Sequence, residues 1–74
     1  MHTYTVVIEA EESGGFFGIV PALPGCFTRG ATAGEGQLRA VEAIEVHIAG
    51  LLADGEPVPR ELGRPTMVTV TVAA

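Results

Sequence analysis

The chain has 74 residues, nine of them acidic and four basic, which gives a net charge of −5 at pH 7. A chain this short forms one domain and buries only about 60% of the surface that it exposes when unfolded. The acidic balance argues against direct binding to a nucleic-acid backbone and favours a basic protein partner.

Cys26 is the single cysteine, so no disulfide within the chain supports the small core. An unpaired thiol is typical of a reducing compartment, and no charged segment followed by an apolar stretch opens the sequence. We therefore expect a cytoplasmic protein without a signal peptide or a membrane span. His2 and His47 have no companion ligands, so we expect no metal or other cofactor. Self-association remains as the way to enlarge the core, and we expect a homo-oligomer.

The first half of the chain predicts three short strands. Residues 3–9 are rich in β-branched and aromatic types and alternate with period two, which places Tyr4, Val6 and Ile8 on one face. An acidic, glycine-containing turn over residues 11–15 leads into a second strand over 16–20, so the two strands form a hairpin. The proline-rich residues 21–25 make a rigid connection to a third strand over 26–30.

The second half predicts one helix and a last strand. Thr32 followed by Glu35 is typical of a capping box, and Asp54-Gly55 of a helix end. At 100° per residue one apolar arc forms the expected buried face, which consists of Leu38, Val41, Ile44, Ile48, Leu51 and Leu52. Residues 56–65 hold three prolines and predict a surface loop, and residues 66–72 alternate valine with threonine as a strand does.

The predicted order is βββαβ, which is an α+β fold with one helix packed on one face of an antiparallel sheet. Residues 1–74 then form a single domain. One helix covers one face of the sheet, so the other face is left as a candidate contact surface. That face is expected to carry Val7, at least one of Phe16 and Phe17, and four threonines, namely Thr3, Thr5, Thr69 and Thr71.

The run from Gly14 to Gly30 resembles the signature of the HicB-like antitoxin family. In that signature a glycine and aromatic strand leads into Pro-x-Leu-Pro-Gly-Cys, here residues 21–26, and then into Thr28 and Gly30. The resemblance extends over residues 4–59 and includes Glu42-Ala43-Ile44-Glu45 in the helix and Asp54-Gly55-Glu56-Pro57-Val58-Pro59 after it.

The resemblance implies a partial RNase H-like βββαβ fold that binds HicA, a small basic toxin that cleaves mRNA with a histidine. The function implied is that of a protein-binding antitoxin, which neutralises the toxin by covering its active surface. For such a module we expect partner-binding roles for Glu11, Glu12, Phe17 and Arg29, with Phe17 as the apolar anchor. Typical members continue into a DNA-binding segment, whereas this sequence stops after its last strand, so we expect no DNA-binding domain.

Three alternatives remain open at the level of sequence. An orphan structural or ligand-sensing homo-oligomer would have the same fold and no toxin partner. Cys26 with His47 would suit a nucleophile and its base, although a buried structural cysteine is the more common role. Glu9, Glu11 and Glu12 would suit a metal-dependent nuclease only if carboxylates converged from separate elements. We expect no catalytic residue and no enzyme.

Overall fold

The computed structural model describes residues 2–73. Three strands are followed by one long helix: β1 is Val7–Ala10, β2 is Phe16–Ile19, β3 is Phe27–Gly30 and α1 is Ala33–Ala53. The strands form one antiparallel sheet in the order β1-β2-β3, and α1 packs on one of its faces. The predicted α+β class, with a hairpin, a third strand and a helix on one side, is confirmed.

The β1–β2 hairpin closes through its two glycines. The Glu11 N–H donates to the Gly15 carbonyl at 3.0 Å, and the Gly14 N–H donates to the Glu11 carbonyl at 3.0 Å. Gly14 and Gly15 have φ values of 93° and 79°, a region that residues with a Cβ rarely adopt. The turn chemistry therefore fixes the register, which pairs Glu9 with Phe17.

The register sorts the side chains of the sheet into two faces. The cross-strand row Ile8–Gly18–Thr28 faces the helix, and Thr28 Oγ1 donates a buried 3.2 Å hydrogen bond to the Gly36 carbonyl. Because alternate residues point to opposite faces, the neighbouring rows face away from α1. These rows are Val7–Ile19–Phe27 and Glu9–Phe17–Arg29.

The core lies between α1 and the loop that joins β2 to β3. Leu23, at the centre of this loop, is fully buried beside Val20 and Cys26, with Tyr4, Val6, Ala43 and Ile44 packed around them. The loop is closed by hydrogen bonds from the Leu23 N–H to the Val20 carbonyl and from the Cys26 N–H to the Leu23 carbonyl. The proline-rich connection thus contributes the central side chain of the hydrophobic core.

Both ends of α1 follow the predicted signals. Thr32 is the N-cap, and its Oγ1 accepts from the Glu35 N–H at 3.0 Å, while the Glu35 carboxylate accepts from the Ala31 N–H at 3.1 Å. At the other end Gly55, with a φ of 70°, donates to the Leu52 carbonyl, and Glu56 donates to the Leu51 carbonyl. This pair of bonds is a Schellman motif, in which a left-handed residue ends the helix.

The predicted buried arc of α1 is wrong in part. The helix meets the sheet through Gly36, Ala40, Ala43 and Ile44, while Leu38, Val41 and Leu52 are 73%, 56% and 65% exposed. The reason is that Gly36 lies very close to Gly30 of β3. A Cβ added at Gly30 would lie 2.5 Å from the Gly36 nitrogen. Small residues set this contact, so the helix turns its smallest face, and not its largest side chains, toward the sheet.

The predicted fourth strand is also wrong for the single chain. Within residues 2–73 no strand follows α1, and Met67, Val68, Val70 and Val72 are 71%, 78%, 78% and 78% exposed. Consequently Thr69 and Thr71 do not join the uncovered face. The first strand begins only at Val7, because the residues before it bind the segment after the helix: Tyr4 Oη donates to the Pro59 carbonyl at 2.6 Å, and the Thr5 N–H donates to Glu61 at 2.7 Å.

Candidate protein-binding face

The face of the sheet opposite α1 is the main candidate site, and we call it the open face. Its apolar members come from all three strands and are Val7, Phe17, Ile19 and Phe27. Ile19 is 44% exposed and Phe27 is 57% exposed, although the two are paired across hydrogen-bonded strands of the sheet. A contiguous apolar patch on rigid strands is typical of a surface that another protein covers.

Phe17 lies at the centre of the open face because β2 is the central strand. Its ring centroid is 5.8 Å from that of Phe27, with 30° between the ring planes, which is a favourable aromatic pair. The Arg29 Cζ lies 5.3 Å from the Phe17 ring centroid on the other side, a cation–π geometry. The two aromatic rings and the guanidinium therefore form one continuous strip across β2 and β3.

Charged groups lie at the hairpin end of this strip. Arg29 Nε is 3.8 Å from Glu11 Oε1, and the Arg29 side chain is 69% exposed. Glu9 is the register partner of Phe17 and is exposed on the same face. Exposed pairs of this kind add little to stability, so their effect is to orient Arg29 and to surround the aromatic strip with polar groups.

The structure brings three of the four predicted contact residues together. Glu11, Phe17 and Arg29 form the cluster just described, whereas Glu12 is exposed in the turn, and among residues 2–73 it makes no ion pair. Sequence reasoning missed Phe27 and Ile19. The signal was available, because each lies two residues from a chosen one, Phe27 from Arg29 and Ile19 from Phe17, and so shares its face.

Cys26 and His47 line one groove between β3 and α1, of about 550 Å³, together with Arg39 and Glu42. Burial raises the pKa of the Cys26 thiol above its ordinary value, and the residue is only 6% exposed. A nucleophilic cysteine needs the opposite shift, toward the thiolate. The geometry thus favours Cys26 as a small apolar core residue over a catalytic one.

Metal and membrane sites find no support in the described residues. Between residues 2 and 73 no three His, Cys, Asp or Glu side chains group in a way that would hold a metal ion. The carboxylates weighed for nuclease chemistry, Glu9, Glu11 and Glu12, lie along one strand end and its turn. The one described helix is too polar for its length to span a bilayer.

Comparison with known proteins gives a family match over nearly the whole chain. A family model described as HicB_like antitoxin of bacterial toxin-antitoxin system matches residues 4–71. A UPF0150 protein of Synechocystis sp. is 41% identical over 61 residues, which cover 82% of this chain and 77% of the relative. A UPF0150 protein of Thermoplasma acidophilum is 45% identical over 58 residues, which cover 78% of this chain and 84% of the relative.

A longer relative comes from a virus. An uncharacterized 14.9 kDa protein of Haemophilus phage HP1, from the rep-hol intergenic region, is 44% identical over 57 residues, which cover 77% of this chain and 42% of that protein. No solved structure matches. Residues 4–71, which the family model matches, include all three strands, the helix and the cluster around Phe17.

Proposed function

Because the chain belongs to the HicB-like antitoxin family, we propose that it neutralises a small, basic HicA-type mRNA-cleaving toxin by binding it and covering its active surface. The proposed action is stoichiometric and requires no catalytic residue. Since the target of such a toxin is mRNA, the place of action is the cytoplasm.

The observation that carries the proposal is the open face. Phe17, Phe27 and Ile19 leave apolar surface on a sheet whose other side packs against α1. Binding sites of this type obtain most of their affinity from a few central aromatic or arginine side chains surrounded by polar groups. Phe17 with Arg29 and Phe27 has this composition and this arrangement.

Charge supports the same kind of partner. The net charge of −5 attracts a basic protein from a distance and speeds encounter, and this effect weakens as salt is added. Glu9 and Glu11 place two carboxylates beside the aromatic strip, where they can pair with lysine or arginine of the toxin. Arg29 is then available to a carboxylate or a carbonyl of the partner.

The test is a titration of this protein with a small basic HicA-type protein, to be sought first in the neighbouring gene, followed by an mRNA-cleavage assay. We expect Phe27→Ala to weaken binding by about 2 kcal/mol, or roughly 30-fold in Kd, as for an aromatic residue that contributes strongly to an interface. Phe27 is already 57% exposed, so its truncation leaves the fold intact.

Val46→Ala is the matched control, because Val46 is a 72% exposed apolar residue on α1, away from the open face. The control should bind like the parent protein and protect mRNA equally well. Equal losses in both variants, or tight binding that Phe27→Ala leaves unchanged, would show that the toxin contacts another surface. Absence of any binding would instead favour an orphan homo-oligomer.

A further inference from the structure

The segment over residues 66–72 has the pattern of a strand without a strand partner, and we call it the C-terminal arm. Its valines at 68, 70 and 72 lie on one side under period-two alternation, and each is 78% exposed. The molecule measures 46 × 27 × 20 Å with a radius of gyration of 14.2 Å. A compact chain of this length would have a radius near 11 Å, so the arm leaves the body of the fold.

The sheet has a free edge at which such a strand could pair. β1 is an outer strand, so its outer edge presents backbone groups that no strand pairs with among the described residues. A cleft of about 380 Å³ runs between α1 and the segment formed by β1 and the residues before it; its lining includes Thr5, Val6, Ile8 and Gln37, and also Arg64, just before the arm. The cleft is therefore bounded by a free strand edge on one side and by a helix on the other.

The flank of α1 that continues this cleft is apolar and uncovered. On the helical wheel Gln37, Val41 and Leu52 fall within an arc of about 60°, so they lie on one flank. Val41 and Leu52 are 56% and 65% exposed. A strand laid along the edge of β1 would turn one of its own faces toward this flank of the helix.

We propose that the C-terminal arm fills this cleft in a second copy of the chain, and that two copies exchange arms. Residues 66–72 then pair along the outer edge of β1 of the partner, with Val68, Val70 and Val72 facing the exposed flank of α1. Reciprocal exchange forms a closed twofold dimer in which each sheet has four strands.

The short connection before the arm, residues 62–65, which we call the hinge, favours exchange with another copy. Residues 59–61 are held beside the start of β1 by the Tyr4–Pro59 and Thr5–Glu61 hydrogen bonds. Only residues 62–65 separate this anchor from the arm. Arg64 still lies at the cleft of its own copy, but the residue before proline is restricted to extended conformations, and beyond Pro65 the valines of the arm are exposed. A connection that is too short to fold back favours exchange between copies.

The exchange is independent of toxin binding. The arm would pair in the plane of the sheet, whereas Phe17 and Phe27 lie on the open face and stay accessible. In the dimer Thr69 and Thr71 would extend the open face by one strand.

The first test is the mass of the full chain and of two variants by light scattering after size exclusion. The 7.6 kDa chain should have twice that mass. Val70→Pro removes a donor from the strand ladder and should give monomers with unchanged helix content, because within each copy α1 packs on its own three-stranded sheet. Val46→Asp, on the other flank of α1, should remain dimeric.

A second variant keeps the arm intact and changes only the hinge. Insertion of Gly-Ser-Gly between Gly63 and Arg64 should allow the arm to fold back onto its own sheet, which gives a folded monomer. A dimer that persists in this variant and in Val70→Pro would overturn the exchange, since its interface would lie elsewhere.

Isotope-filtered NMR of mixed labelled and unlabelled copies distinguishes contacts of the arm with another copy from contacts with its own copy. Exchange requires contacts of Val70 with Ile8 or Val41 that join a labelled copy to an unlabelled one. The same contacts within a single copy, or a monomeric parent protein, would refute the proposal. A monomer that still binds the toxin would refute only the exchange and leave the proposed function standing.

Discussion

The contact between Gly30 and Gly36 makes a sharp prediction about how α1 is held on the sheet. In Gly30→Ala the new Cβ would lie 2.5 Å from the Gly36 nitrogen and 3.0 Å from the Glu35 carbonyl carbon. Both are backbone atoms, so no side chain can rotate away. Non-bonded heavy atoms need about 3.5 Å, and the first turn of α1 must therefore move by roughly 1 Å.

The expected loss is near the upper end for overpacking, about 3 kcal/mol, because the obstacle is rigid. Gly50→Ala is the matched control: nothing lies within 4 Å of its Cβ position, and α1 should gain about 0.8–1.0 kcal/mol from the better helix former. For a chain of this size 1 kcal/mol shifts Tm by about 4–8 °C. The two substitutions should therefore move Tm in opposite directions, with Gly30→Ala lower by at least about 12 °C.

The assay is thermal unfolding followed by far-ultraviolet circular dichroism, at one protein concentration because self-association would make Tm concentration-dependent. Gly36→Ala adds a control on the other side of the contact. Its Cβ would meet only Ile8, at 3.8 Å, so it should be tolerated. A neutral Gly30→Ala, or one no worse than Gly36→Ala, would mean that the helix does not rest on β3 at this point.

Three further predictions concern the core, the cap and the thiol. Leu23→Ala should lower the free energy of unfolding by about 2–5 kcal/mol in urea denaturation, because Leu23 is fully buried. A loss below about 1 kcal/mol would contradict a central place for Leu23 in the core. Thr32→Ala should cost about 1 kcal/mol, and Thr32→Ser should restore the cap; equal stabilities of all three proteins would contradict the Thr32–Glu35 bond. Because burial raises the pKa of Cys26, the folded state holds its proton at a pH where the unfolded thiol has lost it. Stability should thus be unaffected below about pH 8.5 and fall above it, and Cys26→Ala should remove that fall in a pH series of denaturation curves.

Local signals predicted the elements that depend on local chemistry. The paired glycines after Glu11 and the Thr32–Glu35 cap fixed a hairpin and a helix start where the structure has them. Period two correctly placed Tyr4, Val6 and Ile8 on one face and Val7 on the other, and of the pair that it left open, Phe16 and Phe17, the structure places Phe17 on the open face.

Features that depend on distant contacts were not predictable in this way. The face that α1 buries follows from the Gly30–Gly36 approach, which no helical period reveals, so Leu38 and Val41 were placed in the core wrongly. Residues 66–72 have the composition of a strand, but pairing requires a free edge within reach, and that is a property of the whole fold.

The candidate site was predictable to a similar extent. Strand alternation brought Phe17 and Arg29 to one face, and the short turn brought Glu11 to Arg29. The turn also directed Glu12 away from this cluster, a choice between neighbours that depends on its backbone geometry. Partner-binding roles for these residues stay predictions until the titration is done.

The small core has a consequence for how much of the protein a cell retains. Its buried apolar residues among those described are only Val20, Leu23, Cys26 and Ala40. With so small a core, the folded state is only marginally stable. Any partner that binds the native form lowers the fraction of unfolded chains by mass action, and the unfolded chains are the ones that proteases degrade. The cellular level of such a protein would therefore rise and fall with the concentration of its binding partners.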